Sequence, residues 1–258
     1  AVVNVAISRR VHAELHDDGT ITYRRDVEAG GLGSSACEHV LAAALRNPDA
    51  DLDDIAEAAF AAESAEGVIG GRQDQYAACY GGLNFMTFTR PRPGELPVRI
   101  ERLELAEPVR VALEKRFVLV DSGIARLSGE IHQAVWSAFA RHEDEVTGAL
   151  LSLKQYARAM RDAIAGNDYG GMRHVMNENW TQQKRLHPSV TNETVDAIFD
   201  LAMRNGASAG KACGAGGGGA LVFYCSSEGD AAALRRALAG AQLAVIAFAF
   251  DFEGLIDE

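Results

Sequence analysis

Gly30-Gly31-Leu32-Gly33-Ser34-Ser35-Ala36 is the stretch on which the reading of this chain turns. Glycine permits positive φ and lets backbone approach closely. Ser34 or Ser35 suits a helix N-cap. In the residues that follow, Ala36, Val40, Leu41, Ala44 and Leu45 fall on one helical face. Asn47-Pro48 ends that run. A glycine loop opening into a helix gathers free N–H groups and the positive dipole end at one point, which suits phosphate. The same residues also fit a plain tight turn before a helix. The rest of the chain decides between the two.

The chain has 258 residues, enough for one large domain or two of about 100–150 residues. Charged residues make up 24% and hydrophobic ones 48%, an ordinary globular balance. A formal net charge of -11 disfavours nucleic acid as a partner. It still allows a phosphorylated substrate, which needs only a local positive pocket. No apolar run long enough for a membrane span and no signal-peptide pattern stand out, so the expectation is a soluble, cytoplasmic protein with no membrane partner. Cys37, Cys79, Cys213 and Cys225 lack C-x-x-C spacing and read as reduced thiols. The chain starts inside an apolar strand-like run without a methionine, so the native protein is expected to have residues ahead of Ala1.

In chain order, residues 1–8 and 11–15 read as strands, Asp17-Asp18-Gly19 as a hairpin turn and residues 20–24 as the returning strand. Residues 51–66 read as a second helix, started by Asp51 or Asp53, with Ile55, Ala56, Ala59, Phe60 and Ala62 apolar. Glu63 lies one turn beyond Ala59 and Phe60, so it projects from the apolar face. A carboxylate there is costly to bury unless paired or metal-bound. Glu66 is the ordinary solvated helix-end acid. Gly70-Gly71-Arg72-Gln73-Asp74-Gln75-Tyr76 follows, then Gly81-Gly82 and an alternating strand at 83–88. Asp74 between glycine turns fits a loop-mounted catalytic acid or base; it fits equally well as the cap of a short helix at 74–80.

Residues 89–108 read as a linker with connecting strands, which divides the chain into domains 1–108 and 109–258. Beyond it, 116–120 reads as a buried strand ending at Asp121-Ser122-Gly123. Helices are expected at 128–141, 144–166 and 168–185, and another from a Thr191 cap to Arg204. A second glycine-rich segment at 210–219 leads to a strand at 220–224, an amphipathic helix at 228–238 and a last strand at 243–252 with Phe248, Phe250 and Phe252 on one face. Short strands framing helix pairs make this α+β, not a doubly wound sheet.

Four features together resemble the GHMP kinase superfamily, which includes galactokinase, homoserine kinase, mevalonate kinase and phosphomevalonate kinase. They are the Gly-Leu-Gly-Ser-Ser loop, a Glu eleven residues before an Asp, Gly-Gly-Arg-Gln-Asp-Gln-Tyr, and Gly-Ala-Gly-Gly-Gly-Gly before a strand. Within the superfamily the chain looks most like the D-glycero-D-manno-heptose 7-phosphate kinases, at residues 70–85 and 210–219 above all. Weaker matches lie at Ser122-Gly123-Ile124-Ala125-Arg126, Thr191-Asn192 and Phe250-Asp251-Phe252-Glu253-Gly254. The resemblance implies a two-domain fold, an N-terminal α+β domain and a C-terminal ferredoxin-like α/β plait.

It also implies roles. Gly30, Gly31, Leu32, Gly33, Ser34, Ser35 and Ala36 would wrap the phosphates of ATP. Ser34 or Ser35 would reach Mg²⁺, and Glu63 matches the family's metal-ligand carboxylate. Asp74 matches the catalytic Asp beside the sugar hydroxyl. Gly214, Ala215, Gly216 and Gly217, with Gln73, match active-site loop positions. Arg72 and Lys211 are candidates for added positive charge and fit equally well as solvated loop cations. Arg126 would hold a sugar phosphate, while Lys184 and Arg185 read better as surface charge. The implied activity is ATP-dependent phosphoryl transfer to a heptose 7-phosphate, at the anomeric C1 hydroxyl, with an L-fucokinase-like or other monosaccharide kinase as the alternative. A non-catalytic sensor on the same scaffold is the reading from another class; Asp74, Glu63 and both serines, all present, speak against it. The expected partners are ATP and a sugar phosphate, which leaves room for a homodimer.

The chain departs from the family pattern in two places. The family's first glycine-rich motif is absent, and Asp26 to Gly30 is shorter than in the family by the region around the adenine ring. Either the protein has lost that segment or the native chain carries residues that this sequence omits; the second is the expectation, with the first domain incomplete at its start and around 26–30.

Overall fold

The computed structural model describes residues 1–92, 95–124 and 128–257. They form two compact units. One contains Ala1–Glu28, Gly33–Arg102 and Phe248–Glu258; the other contains Ala29–Leu32 and Leu103–Ala247. The division differs from a single cut at 108 in three ways. The boundary falls between Arg102 and Leu103, the closing residues fold with the first unit, and the glycine loop is itself divided between Leu32 and Gly33.

The first unit holds strand β1 (Val2–Val5), the hairpin β2 (Val11–Leu15) and β3 (Ile21–Arg25), helices α1 (Ser34–Arg46), α2 (Leu52–Ala65) and α3 (Gln73–Tyr80), and strands β4 (Leu83–Phe88) and β5 (Val98–Arg102). β1, β4 and β5 form an antiparallel sheet in that order. The helices turn Val40, Ile55, Ala56, Ala59, Tyr76 and Cys79 onto a core that includes Met86 and Val98. That is the apolar face the 3.6-residue period marks out. The segment expected as a last strand to residue 252 is mostly irregular. Its closing residues join this unit through the β-bridge Ile7 to Phe250 and through backbone bonds that include Gly82 N–H to Asp251 O at 2.6 Å, Ser8 N–H to Ala249 O at 2.8 Å and Asp251 N–H to Ala6 O at 2.9 Å.

The second unit continues with α4 (Glu107–Lys115), β6 (Phe117–Asp121), α5 (Ser128–Ala140), α6 (Asp144–Ala165), α7 (Tyr169–Lys184), a 3-10 turn (Pro188–Val190), α8 (Glu193–Arg204), β7 (Ala207–Ala212), β8 (Ala220–Cys225), α9 (Glu228–Gly240) and β9 (Ala244–Ile246). Its sheet is antiparallel, in the order β7-β8-β6-β9. Val118, Val120, Leu221 and Phe223 point from it onto Val195, Ile198, Leu234 and Leu238 of α8 and α9. Two local expectations change. α4 occupies part of the expected linker, with Pro108 in its first turn, where proline is tolerated. α8 is capped by Asn192, which accepts from Val195 N–H, rather than by Thr191, whose hydroxyl donates to Asp196 at 2.6 Å.

Among the described residues no helix is long and apolar enough to cross a membrane. All four cysteines are free thiols.

Candidate active site

Helix α1 begins at Gly33, whose backbone is left-handed (φ 77°, ψ 16°) and which makes no side-chain cap. Neither Ser34 nor Ser35 is therefore the N-cap, because the glycine makes the turn by itself. α2, α7, α8 and α9 are each capped by a side chain: Asp51, Asp168, Asn192 and Ser227. Side chains leave the first N–H groups of α1 open, and such a terminus favours an anion. It also adjoins Asp74: a Cβ built on Gly33 would stand 3.5 Å from the Asp74 Cβ.

Ser35 Oγ donates instead to Glu63 Oε1 at 2.9 Å. Gln75 Nε2 donates to the other oxygen, Oε2, at 2.6 Å. Glu63 is only 8% exposed and Gln75 is fully buried. Glu63 forms no ion pair among the described residues, so two neutral donors hold a buried negative charge. The structure thus brings together Ser35, Glu63 and the α3 start that carries Asp74. Gln75 was missed as a site residue. Its signal is present in the Gln-Asp-Gln run, but only tertiary packing shows that it faces Glu63.

Asp74 does not cap α3. That helix starts at Gln73, with Arg72 as an N-cap lacking a side-chain bond. Solvent reaches the Asp74 side chain, while protein crowds its remaining sides. This partial desolvation, with the Glu63 charge second, pushes its carboxyl up to about 6, against a hydrogen bond from Gln73 that lowers it. Burial likewise raises the neighbouring Cys37 thiol to about 11, with the Asp74 charge adding to the shift, so this cysteine is not a poised thiolate. Burial pulls His39 down, but its bonds to the Ser35 carbonyl and to Glu66 raise it overall.

Arg72 faces away from this chemistry. Its Nε donates to both Glu57 oxygens at 2.8 and 3.0 Å, and its guanidinium lies 3.9 Å from the centre of the Phe60 ring. Glu57 also accepts from Tyr76 Oη at 3.0 Å. In this arrangement Arg72 anchors α3 on α2 rather than reaching for a reacting group. Lys211 donates to the Ala212 carbonyl at 2.7 Å, and burial lowers its pKa. Lys184 lies 5.6 Å from the Trp180 ring centre, and Arg185 bonds Gln182 and Glu145, as surface cations do. Arg126 lies outside the described residues.

In the second unit, residues 29–32 and 213–220 form one backbone assembly. Ala220 N–H donates to Gly30 O at 2.8 Å. Gly31 has φ +82° and a Cβ there would stand 3.0 Å from the Cys213 carbonyl oxygen, so only glycine fits without strain. Around Ala215 and Gly216, Gln183 holds the Gly214 carbonyl at 2.9 Å, Asn192 holds that of Gly217 at 2.8 Å, and Gly217 N–H donates to Val190 O at 2.6 Å. Four of the expected active-site loop residues, 214–217, therefore form a fixed backbone scaffold together with Gly30, Gly31 and Leu32. Among the described residues no group of three or more His, Cys, Asp or Glu is placed to hold a metal ion. Glu63 and the Ser35 hydroxyl place two oxygen donors side by side.

"GHMP kinases N terminal domain" matches residues 3–82, and "GHMP kinases C terminal" matches residues 160–244. The D-glycero-alpha-D-manno-heptose 7-phosphate kinase of Campylobacter jejuni is 34% identical over 173 residues, 66% of this chain and 49% of that protein. The bifunctional fucokinase/GDP-fucose pyrophosphorylase of Arabidopsis thaliana is 29% identical over 226 residues, 84% of this chain and 21% of that protein. The chain thus spans half or less of these relatives' length. A Campylobacter jejuni protein described as a candidate sugar kinase has a similar structure, with a TM-score of 0.66 at 31% identity, covering 91% of this chain and 67% of that one. These matches bear out the α+β fold expected from the motifs, and the chain belongs to the GHMP kinase family.

Proposed function

We propose that the protein transfers the γ-phosphoryl of ATP to a hydroxyl of a heptose 7-phosphate, with Asp74 as the base. The observation that carries this reading is Asp74 itself. It is reached by solvent, makes no cap, and adjoins both an uncapped helix N-terminus and the Ser35–Glu63 pair. The resemblance to a heptose 7-phosphate kinase supports the substrate class.

Phosphoryl transfer asks a protein for position and charge neutralisation more than for covalent chemistry. In this reading the open N–H groups of the α1 start bind the phosphate oxygens. Asp74 takes the proton of the acceptor hydroxyl as its oxygen bonds to the γ-phosphorus. The bond from that phosphorus to the bridging oxygen breaks, and ADP leaves with the electron pair. The anomeric C1 hydroxyl is the proposed acceptor. A buried carboxylate without an ion pair, beside a hydroxyl, fits a divalent cation that takes its other ligands from phosphate and water. Glu63 and Ser35 would hold Mg²⁺, which supplies positive charge against the triphosphate.

The test is a panel of sugars and sugar phosphates offered to the full-length native protein with ATP, read by ADP release. Turnover fastest with a heptose 7-phosphate, and a new anomeric phosphate in the ³¹P spectrum, are the expected results. The similarity to a fucokinase over 84% of the chain favours one second reading. Preference for unphosphorylated L-fucose would replace the first reading with it.

A further inference from the structure

We propose that Gln75 is a positioning residue that makes Glu63 a one-oxygen ligand and so sets the site's preference for Mg²⁺ over Ca²⁺. This rests on the reading of Glu63 as the metal carboxylate. The two oxygens of Glu63 are held differently. Oε1 lies beside the Ser35 hydroxyl at 2.9 Å, and Ser35 is exposed. Oε2 is held at 2.6 Å by the amide of Gln75, a residue with no exposed surface. One oxygen therefore faces the solvent side with Ser35, and the other faces the interior.

The amide's orientation follows from chemistry. Turned over, it would set its oxygen against a carboxylate oxygen, so Nε2 must be the atom facing Glu63. That leaves Gln75 Oε1 buried without a hydrogen-bond partner among the described residues. A buried unmade acceptor destabilises a fold, and an apolar residue of the same length would avoid it. The amide at this position is explained by what it does to Glu63. A lysine or arginine would hold Oε2 equally well but would neutralise the charge that a cation needs. The neutral amide fixes the carboxylate and leaves it anionic.

The consequence concerns metal choice. Mg²⁺ requires near-octahedral geometry and few carboxylate oxygens, whereas Ca²⁺ readily takes both oxygens of one carboxylate. Occupying Oε2 disfavours the second mode. Removing the donor frees the carboxylate to rotate and bind through both oxygens.

The experiment titrates MgCl₂ and CaCl₂ separately, by calorimetry, into the full-length native protein saturated with a non-hydrolysable ATP analogue. Gln75→Met and Gln75→Leu keep volume and remove the donor; near-UV circular dichroism and thermal melting identify a folded variant. In either folded variant, Mg²⁺ affinity is expected to fall about 10-fold or more, and Ca²⁺ affinity to fall less or rise. Glu63→Gln is expected to weaken both ions, and adding Gln75→Met to it should change neither further. A Mg²⁺/Ca²⁺ affinity ratio within about twofold of wild type in the folded variants overturns the role of Gln75 while leaving Glu63 as a ligand. Unchanged binding of both ions by Glu63→Gln overturns the metal reading itself, and this inference with it.

Discussion

Asp74 links stability to chemistry at the scale of one residue. Its carboxyl is raised from an ordinary 3.8 to about 6 in the folded chain, by desolvation first and Glu63 second. Above about pH 6 it is ionised in both folded and unfolded states, and the folded state bears the full cost. As pH falls through 6 towards 3.8 the folded state takes up the proton first, and the cost disappears. Asp74→Asn is therefore expected to raise the melting temperature at pH 8 and to leave it unchanged near pH 4; a melting temperature lowered at pH 8 would contradict this account. Activity carries the opposite sign. A base must be ionised, so kcat/KM of the wild type should fall on the acid side with an apparent pKa near 6. In the proposed reading Asp74 trades stability for function, a common pattern in active sites.

At this scale the sequence shows burial more clearly than bonding. Glu63 stood out because helical spacing placed an acid on an apolar face, and it is buried there. Asp74 remained ambiguous because a cap and a base look alike in sequence; only the missing capping bond separates them. Gln75 and Glu57 were invisible for another reason. Each acts through a partner on another helix, and spacing along one element says nothing about contacts between elements.

At the scale of elements, the orientation of α3 decides where Asp74 points. α2 holds it along its length: Glu57 takes Arg72 and Tyr76, and Asp53 accepts from Tyr80 Oη at 2.8 Å. Glu57→Ala leaves a guanidinium and a hydroxyl without their partner. It is expected to cost about 1–3 kcal/mol in urea unfolding and to lower kcat more than it raises KM. A variant that loses neither stability nor kcat would show that the anchor does not position α3. At the far end, Gly254 has φ +75° and packs its backbone against the Cys79 carbonyl and the Gly81 amide. Gly254→Ala has no room for its methyl group, and unfolding is expected to become easier by about 1–3 kcal/mol. An unchanged urea midpoint would contradict that packing.

The helices were the most legible elements, because apolar periodicity over three or more turns is a strong signal. α4 escaped because Pro108 reads as a breaker, although it sits in the first turn. The last strand is shorter than its sequence pattern suggests. The alternation of Phe248, Phe250 and Phe252 looks like a sheet strand, yet β9 ends at Ile246 and only Phe250 makes a bridge.

At the scale of the whole molecule, chain order and compact units do not coincide. Phe248–Glu258 returns to the first unit, and Ala29–Leu32 folds with the second. Proline and composition place a single cut at 108, and they carry no record of a chain that crosses back. A nucleotide that binds the native chain alone should stabilise it by mass action. A non-hydrolysable ATP analogue with Mg²⁺ at 100 times its Kd is expected to add about 2.7 kcal/mol; no shift in melting temperature would argue against nucleotide binding.

The proposed role of Asp74 as the base of a sugar kinase comes down to one rate. Single-turnover transfer from [γ-³²P]ATP to a heptose 7-phosphate is followed in the full-length wild type and in Asp74→Asn, with melting temperature confirming that both are folded. A labelled sugar bisphosphate is expected from the wild type and a loss of about 10²–10⁴-fold in the variant. Transfer at the wild-type rate by the folded variant would contradict that role.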